Sequence, residues 1–98
     1  MEYEVIIARS AIRDLEEIHA YIARDNSAAA QAFVLKLLDE ARSLVAFPER
    51  GGIIKERRGA RFVMVHPYLV VYRIEEETRI VRVLRYWHGA RERVRMRL

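Results

Sequence analysis

The apolar spacing of this chain changes from helical to strand period at Gly51-Gly52, and that change restricts the folds open to it. Before it, Ile12, Leu15, Ile18, His19 and Ile22 recur at helical spacing, and Ala30, Phe33, Leu37, Ala41, Leu44 and Val45 form a second such stripe. After it, short apolar runs alternate as strands do. Side chains return to one face about every 3.6 residues in a helix and every ~2 in a strand, so neither pattern can serve as the other. The first half must be mostly helix and the second mostly sheet.

Local signals set the boundaries. Tyr3 to Ala8, with Val5-Ile6-Ile7 at its centre, reads as a first strand. Ser10 is the predicted N-cap of a first helix, with Asp14, Glu16 and Glu17 near its positive end. Asp25-Asn26-Ser27 breaks the pattern, and Asn26 or Ser27 can cap a second helix that Pro48 and Gly51-Gly52 end. Strands follow at Arg61 to Val65, Tyr68 to Glu75 and Arg79 to Trp87, with turns at His66-Pro67 and Glu76-Glu77-Thr78. The expected order is β-α-α-β-β-β, an α+β fold with a helical hairpin on one face of a mainly antiparallel sheet. Where the first strand joins is left open. Residues 1–98 are expected to form one domain, and 52% apolar residues suffice for its core.

Charge is unevenly divided. Residues 1–49 hold nine acids against five bases, a net of −4, and residues 50–98 hold five acids against thirteen bases, a net of +8. Sixteen of the eighteen bases are Arg, which grips phosphate and carboxylate bidentately. The basic half therefore points to nucleic acid or an acidic protein partner, or else to a merely solvated surface. The chain has no cysteine, so no disulfide framework or thiolate chemistry. The N-terminus lacks the basic region of a signal peptide, and no apolar run approaches the ~20 residues of a membrane span. A cytoplasmic protein is expected, with no membrane association, cofactor or metal.

The last twenty residues hold seven arginines and one acid. His88 closes the last strand beside Gly89, near Arg85 and Arg91, where it can act as an acid or base or can hydrogen-bond the chain reversal. His19 reads as a helix residue at the core edge, and His66 as a solvent-facing turn residue. Tyr86 and Trp87 lie on opposite faces of the strand, one for the core and one for contact with a target. Arg93, Arg95 and Arg97 suit an extended edge strand with one cationic face or a short helix, engaging a target rather than stabilising the fold.

Four segments together carry a family resemblance. They are Ser10-Ala11-Ile12-Arg13-Asp14-Leu15-Glu16-Glu17-Ile18 with Tyr21-Ile22, Leu44-Val45-Ala46-Phe47-Pro48-Glu49-Arg50-Gly51, Tyr68-Leu69-Val70-Val71-Tyr72-Arg73, and Val83-Leu84-Arg85-Tyr86-Trp87-His88-Gly89-Ala90-Arg91. In this order the chain resembles the RelE/ParE superfamily of toxins from type II toxin–antitoxin systems. The resemblance implies a cognate acidic antitoxin, a possible toxin–antitoxin hetero-oligomer, and one of two activities. RelE-like members are ribosome-dependent endoribonucleases acting on mRNA; ParE-like members poison DNA gyrase. Phe62, Met64 and Leu69 stand where the RelE pattern has basic residues, and the terminal Tyr common in that branch is absent. The Ser-Ala-x-x-Asp-Leu start, the Pro-x-x-Gly and the positions of Arg61 and Arg91 look ParE-like. That branch implies gyrase as target, with Arg61, Tyr86, Trp87, Arg93, Arg95 and Arg97 in contact. The ribonuclease alternative would use His88 and Arg91, with Arg85, as acid and charge stabilisers. A plain nucleic-acid-binding module is disfavoured by the lack of paired exposed aromatics on the sheet.

Overall fold

The expected helical hairpin and antiparallel meander are both present in a computed structural model, which describes residues 2–98. Strand β1 (Glu4–Ile7) leads into helices α1 (Arg9–Ala23) and α2 (Ser27–Arg42). Short 3₁₀ turns at Ser43–Val45 and Pro48–Arg50 precede β2 (Gly52–Ile53), β3 (Arg61–Val65), β4 (Tyr68–Glu75) and β5 (Ile80–His88). β2 was not foreseen; its two residues are too few to display a period. The sheet order is β1-β5-β4-β3-β2, with β1 parallel to β5 and every other pairing antiparallel. The hairpin carries the chain from one sheet edge to the other, so β1 and β2 become the two edges. Among the described residues no helix is long and apolar enough to cross a membrane.

Two sequence expectations about α1 are corrected. The helix begins before Ser10, with Ala8 as N-cap, and the Ser10 hydroxyl donates instead to the Leu84 carbonyl at 2.8 Å. The buried stripe is Ala11, Asp14, Leu15 and Ile18, whereas Ile12 and His19 face solvent. The stripe is rotated because an ion pair draws Asp14 inward and because small Ala11 suits a close approach. α2 follows expectation at its start and on its stripe, where the Asn26 side chain accepts the Ala29 N–H at 2.9 Å and Ala30, Leu37 and Ala41 are buried, but it ends at Arg42, and Leu44 and Val45 lie in the 3₁₀ turn that follows.

A β-bulge lies in β5. Val71 pairs with Arg85 but Tyr72 pairs with Val83, so Leu84 is the extra residue. The bulge resets the alternation, and Val81, Val83 and Tyr86 all join the core beneath the helices with Leu15, Leu37, Tyr72 and others. Trp87 falls on the opposite face, in a second core with Ile54, Ala60, Leu69, Val71 and Met96. Neither aromatic is free for a target: Tyr86 is 3% exposed and Trp87 1%. The single-core reading had missed that the sheet is covered on both sides.

The cationic tail builds the second cover. It is neither edge strand nor α-helix but extended chain around a 3₁₀ turn at Arg93–Arg95. Met96 is plugged beside Trp87 at 1% exposure. The Arg57 guanidinium donates to the Val94 carbonyl at 2.7 Å and to the Met96 carbonyl, and Arg85 donates to the Arg97 carbonyl at 3.0 Å. The backbone of the tail is thus structural, which corrects the expectation that the segment matters for target engagement more than for stability.

At the other end Tyr72 fixes the loop after the second 3₁₀ turn. Its hydroxyl donates to the Pro48 carbonyl and accepts the Gly51 N–H at 3.1 Å. A Cβ on Gly51 would lie 2.3 Å from that hydroxyl, so only Gly fits here.

The Tyr86 hydroxyl is buried without a hydrogen-bond partner among the described residues, and burial pushes its pKa up from 10.0 to about 12. A phenol that ionises later in the folded state protects stability below pH ~10 and forfeits it as pH rises toward ~12. Tyr86→Phe is therefore expected to leave stability at neutral pH within about 1 kcal/mol of wild type or raise it, and to flatten the alkaline limb above pH ~10; urea titrations across pH measure both. Met96→Ala should cost about 2–4 kcal/mol by the same method, and truncation after Glu92 should lower the melting temperature.

Candidate functional site

The second half of β5, residues 84–88, projects beyond β1, whose pairing stops at Ile7 opposite Val83. Past that point α1 occupies the place of a strand. Asp14 accepts the Tyr86 N–H at 2.9 Å, the group a neighbouring strand would have taken. The same carboxylate accepts two N–H groups of Arg85, at 2.7 and 2.9 Å. The Arg85 and Asp14 side chains are only 16% and 9% exposed. Hydrogen bonding to Asp14 pushes the Arg85 guanidinium above its ordinary pKa. Arg85 is therefore a committed structural cation and not a free catalytic group. Loss of either partner would strand a buried charge.

Beyond Arg85 the strand end is tied by its own turn. The His88 Nδ1 accepts the Ala90 N–H at 3.0 Å, and the Gly89 N–H donates to the Pro67 carbonyl at 2.8 Å. Of the two roles foreseen for His88, the chain-reversal bond is the one formed. Its ring meets Tyr68 edge-on at 5.1 Å, and Tyr68 in turn lies 5.8 Å from Phe33. Burial first and the nearby Tyr21 phenol second push the Tyr68 pKa up, so its hydroxyl stays protonated at neutral pH. Tyr21, Ile22, Phe33, Pro67, Tyr68 and His88 line a surface cleft of about 370 Å³. A hollow of about 150 Å³ shares three of these residues and adds Glu17 and Arg91.

The predicted arginines divide into two groups. Arg61 donates to the Glu49 and Gly51 carbonyls at 3.2 and 3.1 Å and so clamps the loop before β2. Arg93 is half-buried, 5.0 Å over the Phe62 ring. Arg91, Arg95 and Arg97 are exposed. Arg91 stacks on Trp87 at 3.9 Å, while Arg95 pairs with Glu92 at 3.4 Å in full solvent, which contributes little. The structure therefore brings His88 and Arg91 to one hollow and leaves Arg61 elsewhere. The sequence reading missed Asp14, Arg57, Tyr21 and Tyr68. Asp14 sits on the apolar stripe of α1 as an acid one turn before Ile18, and that misplacement was the one visible signal. Among the described residues no three His, Cys, Asp or Glu side chains cluster as metal ligands would.

The rest of the chain's relatives fit this architecture. The family model of the ParE toxin of the type II toxin–antitoxin system parDE matches residues 5–93. Toxin RelE2 of Caulobacter vibrioides is 33% identical over 88 residues, covering 90% of this chain and 97% of that protein. Among solved structures, the chromosomal ParDE system of P. aeruginosa superposes with a TM-score of 0.76 at 20% identity, over 88% of this chain and 95% of the other. The RelBE2 toxin–antitoxin complex of Mycobacterium tuberculosis gives 0.66 at 25% identity, over 90% and 99%. The family model, matched over residues 5–93 of a chain that folds as two helices on a five-stranded mixed sheet, places this chain in the ParE toxin family of type II toxin–antitoxin systems.

Proposed function

We propose that this toxin acts by binding its target rather than by cutting RNA, with DNA gyrase as the target and an acidic antitoxin as the neutralising partner. The observation that carries the reading is the state of the groups a nuclease would need. Metal-independent phosphodiester cleavage requires a base, an acid and a cation on the developing charge. Arg85 is bound to Asp14 and the His88 Nδ1 is held by Ala90, so of the three only Arg91, stacked on Trp87, is without a polar side-chain commitment among the described residues. The sheet face away from the helices is apolar, with Phe62, Leu69, Trp87 and Met96 packed together and Met64 beside them on β3. The cations placed to meet a target at the end of β5 and in the tail are the exposed Arg91, Arg95 and Arg97. The gyrase assignment comes from the ParE-like motifs.

The competing reading, a ribosome-dependent mRNA interferase, draws on the hollow that gathers His88, Arg91, Glu17 and Tyr68. A relative named RelE2 is compatible with either activity. Purified chain is expected to inhibit gyrase supercoiling, and its induction to trigger a DNA-damage response without transcript cleavage. Arg91→Ala combined with Arg97→Ala should weaken that inhibition about tenfold or more. Codon-specific cutting of ribosome-bound mRNA, lost in His88→Ala, would replace this reading with the interferase.

A further inference from the structure

Lys55, Arg57, Arg58, Arg73 and Arg93, from three separate segments, gather on the sheet face away from the helices. Leu69 and Val71 belong to the core on that face, so by alternation Arg73 of β4 lies there too. Its guanidinium donates to the Arg58 carbonyl at 3.2 Å, which ties the loop of Ile54 to Ala60 to the sheet. That loop brings Lys55, Arg57 and Arg58, and the tail brings Arg93 over the Phe62 ring. None of these five cations forms an ion pair among the described residues. Arg57 and Arg73 bond only to backbone carbonyls there, so their donors are satisfied while their charge is not neutralised.

The acids of the same segments do not offset this charge. Glu75 is taken by Arg82 at 2.6 Å and Glu92 by Arg95 at 3.4 Å, which leaves Glu56. Arg73 also stands directly opposite Arg82 across the β4–β5 ladder. Like charges in that position repel, and the one carboxylate beside them serves Arg82. An anion arriving at Arg73 relieves that repulsion. On the other side of the molecule the helical hairpin exposes Glu16, Glu17, Asp25 and Asp39, so an anionic partner is steered to one face.

A polyanion with repeated phosphates meets several such cations at once, and arginine grips phosphate through paired N–H donors. Single strands draw much of their affinity from bases stacked on free aromatic rings. The rings of this face are not free: Trp87 is 1% exposed and Phe62 lies beneath Arg93. A duplex, whose bases are already stacked, needs only the cations. We infer that this face, through Lys55, Arg58, Arg73 and Arg93 and with the added charge of Arg57, binds the phosphate backbone of duplex DNA without regard to sequence. The inference goes beyond the gyrase reading and takes from it only the choice of DNA over RNA, since duplex DNA is what gyrase acts on.

The test is fluorescence anisotropy of the toxin with a labelled DNA duplex of about 20 base pairs and arbitrary sequence, between about 50 and 200 mM salt. Contacts to about four phosphates predict a slope of log affinity against log salt of about −3.6. Lys55 and Arg58 are exposed, so Lys55→Ala combined with Arg58→Ala should fold, which circular dichroism checks. This double variant is expected to weaken binding about tenfold or more at low salt and to make the slope shallower by about 1.8. Arg24→Ala combined with Lys36→Ala removes the same charge from exposed positions on the helical hairpin and should change affinity about twofold at most. Equal losses in the two double variants, a slope near zero, no wild-type binding at low salt, or tighter binding to an RNA duplex of the same length would each overturn the inference. A toxin that inhibits supercoiling but binds no DNA would keep the gyrase reading and sink this one; DNA binding without inhibition would do the reverse.

Discussion

One carboxylate joins the two halves of this fold. Asp14 takes the Tyr86 N–H and two N–H groups of Arg85, and thereby locks α1 to the part of β5 that β1 does not reach. The bulge at Leu84 belongs to the same arrangement. Without the extra residue, Arg85 would point into the helix-side core and Tyr86 away from it. With it, Arg85 lies along the sheet edge toward Asp14, Tyr86 fills the core and Trp87 falls on the far face. Arg85 then passes the link on to the Arg97 carbonyl. Helix, strand and tail are held through a single ion pair, whose hydrogen bonds leave no oxygen of Asp14 idle.

The second consequence is a sheet with apolar cover on both sides. Antiparallel sheets commonly keep one wet face. Here the loop of Ile54 to Ala60 and the tail close the other, with Met96 as the plug and Arg57 as the clasp. Arginine does different work at successive positions of one segment. At Arg57, Arg61 and Arg85 the planar guanidinium satisfies carbonyl or carboxylate oxygens inside the fold. At Arg91, Arg95 and Arg97 the side chain stays at the surface. Net charge alone does not separate these roles, because a committed guanidinium and a free one carry the same charge.

That separation shapes the functional reading. In a toxin of this family the surface offered to other molecules is smaller than the arginine count suggests. On the proposed function it includes the short cationic edge at the end of β5, which lies beside the aromatic cleft formed by the β3–β4 turn and the end of α1.

The sequence alone determined the class of elements and their order. Periodicity is a local property, and Ile12 to Val45 and Arg61 to Trp87 display it without reference to anything distant. It also determined the turn at His66-Pro67 and the family motifs, and it narrowed the cap of the second helix to Asn26 or Ser27. Only the tertiary structure decided where β1 joins, since an edge strand's pairing depends on how the hairpin crosses the sheet. It decided that Asp14 is inside and Ile12 outside, because the partner of Asp14 lies 71 residues away. It decided that Tyr86 and Trp87 are both core, because the sheet is covered on both faces and each face buries one of them. And it decided which arginines are free, since that depends on acceptors brought near by folding and not on the arginines' own neighbours in the chain.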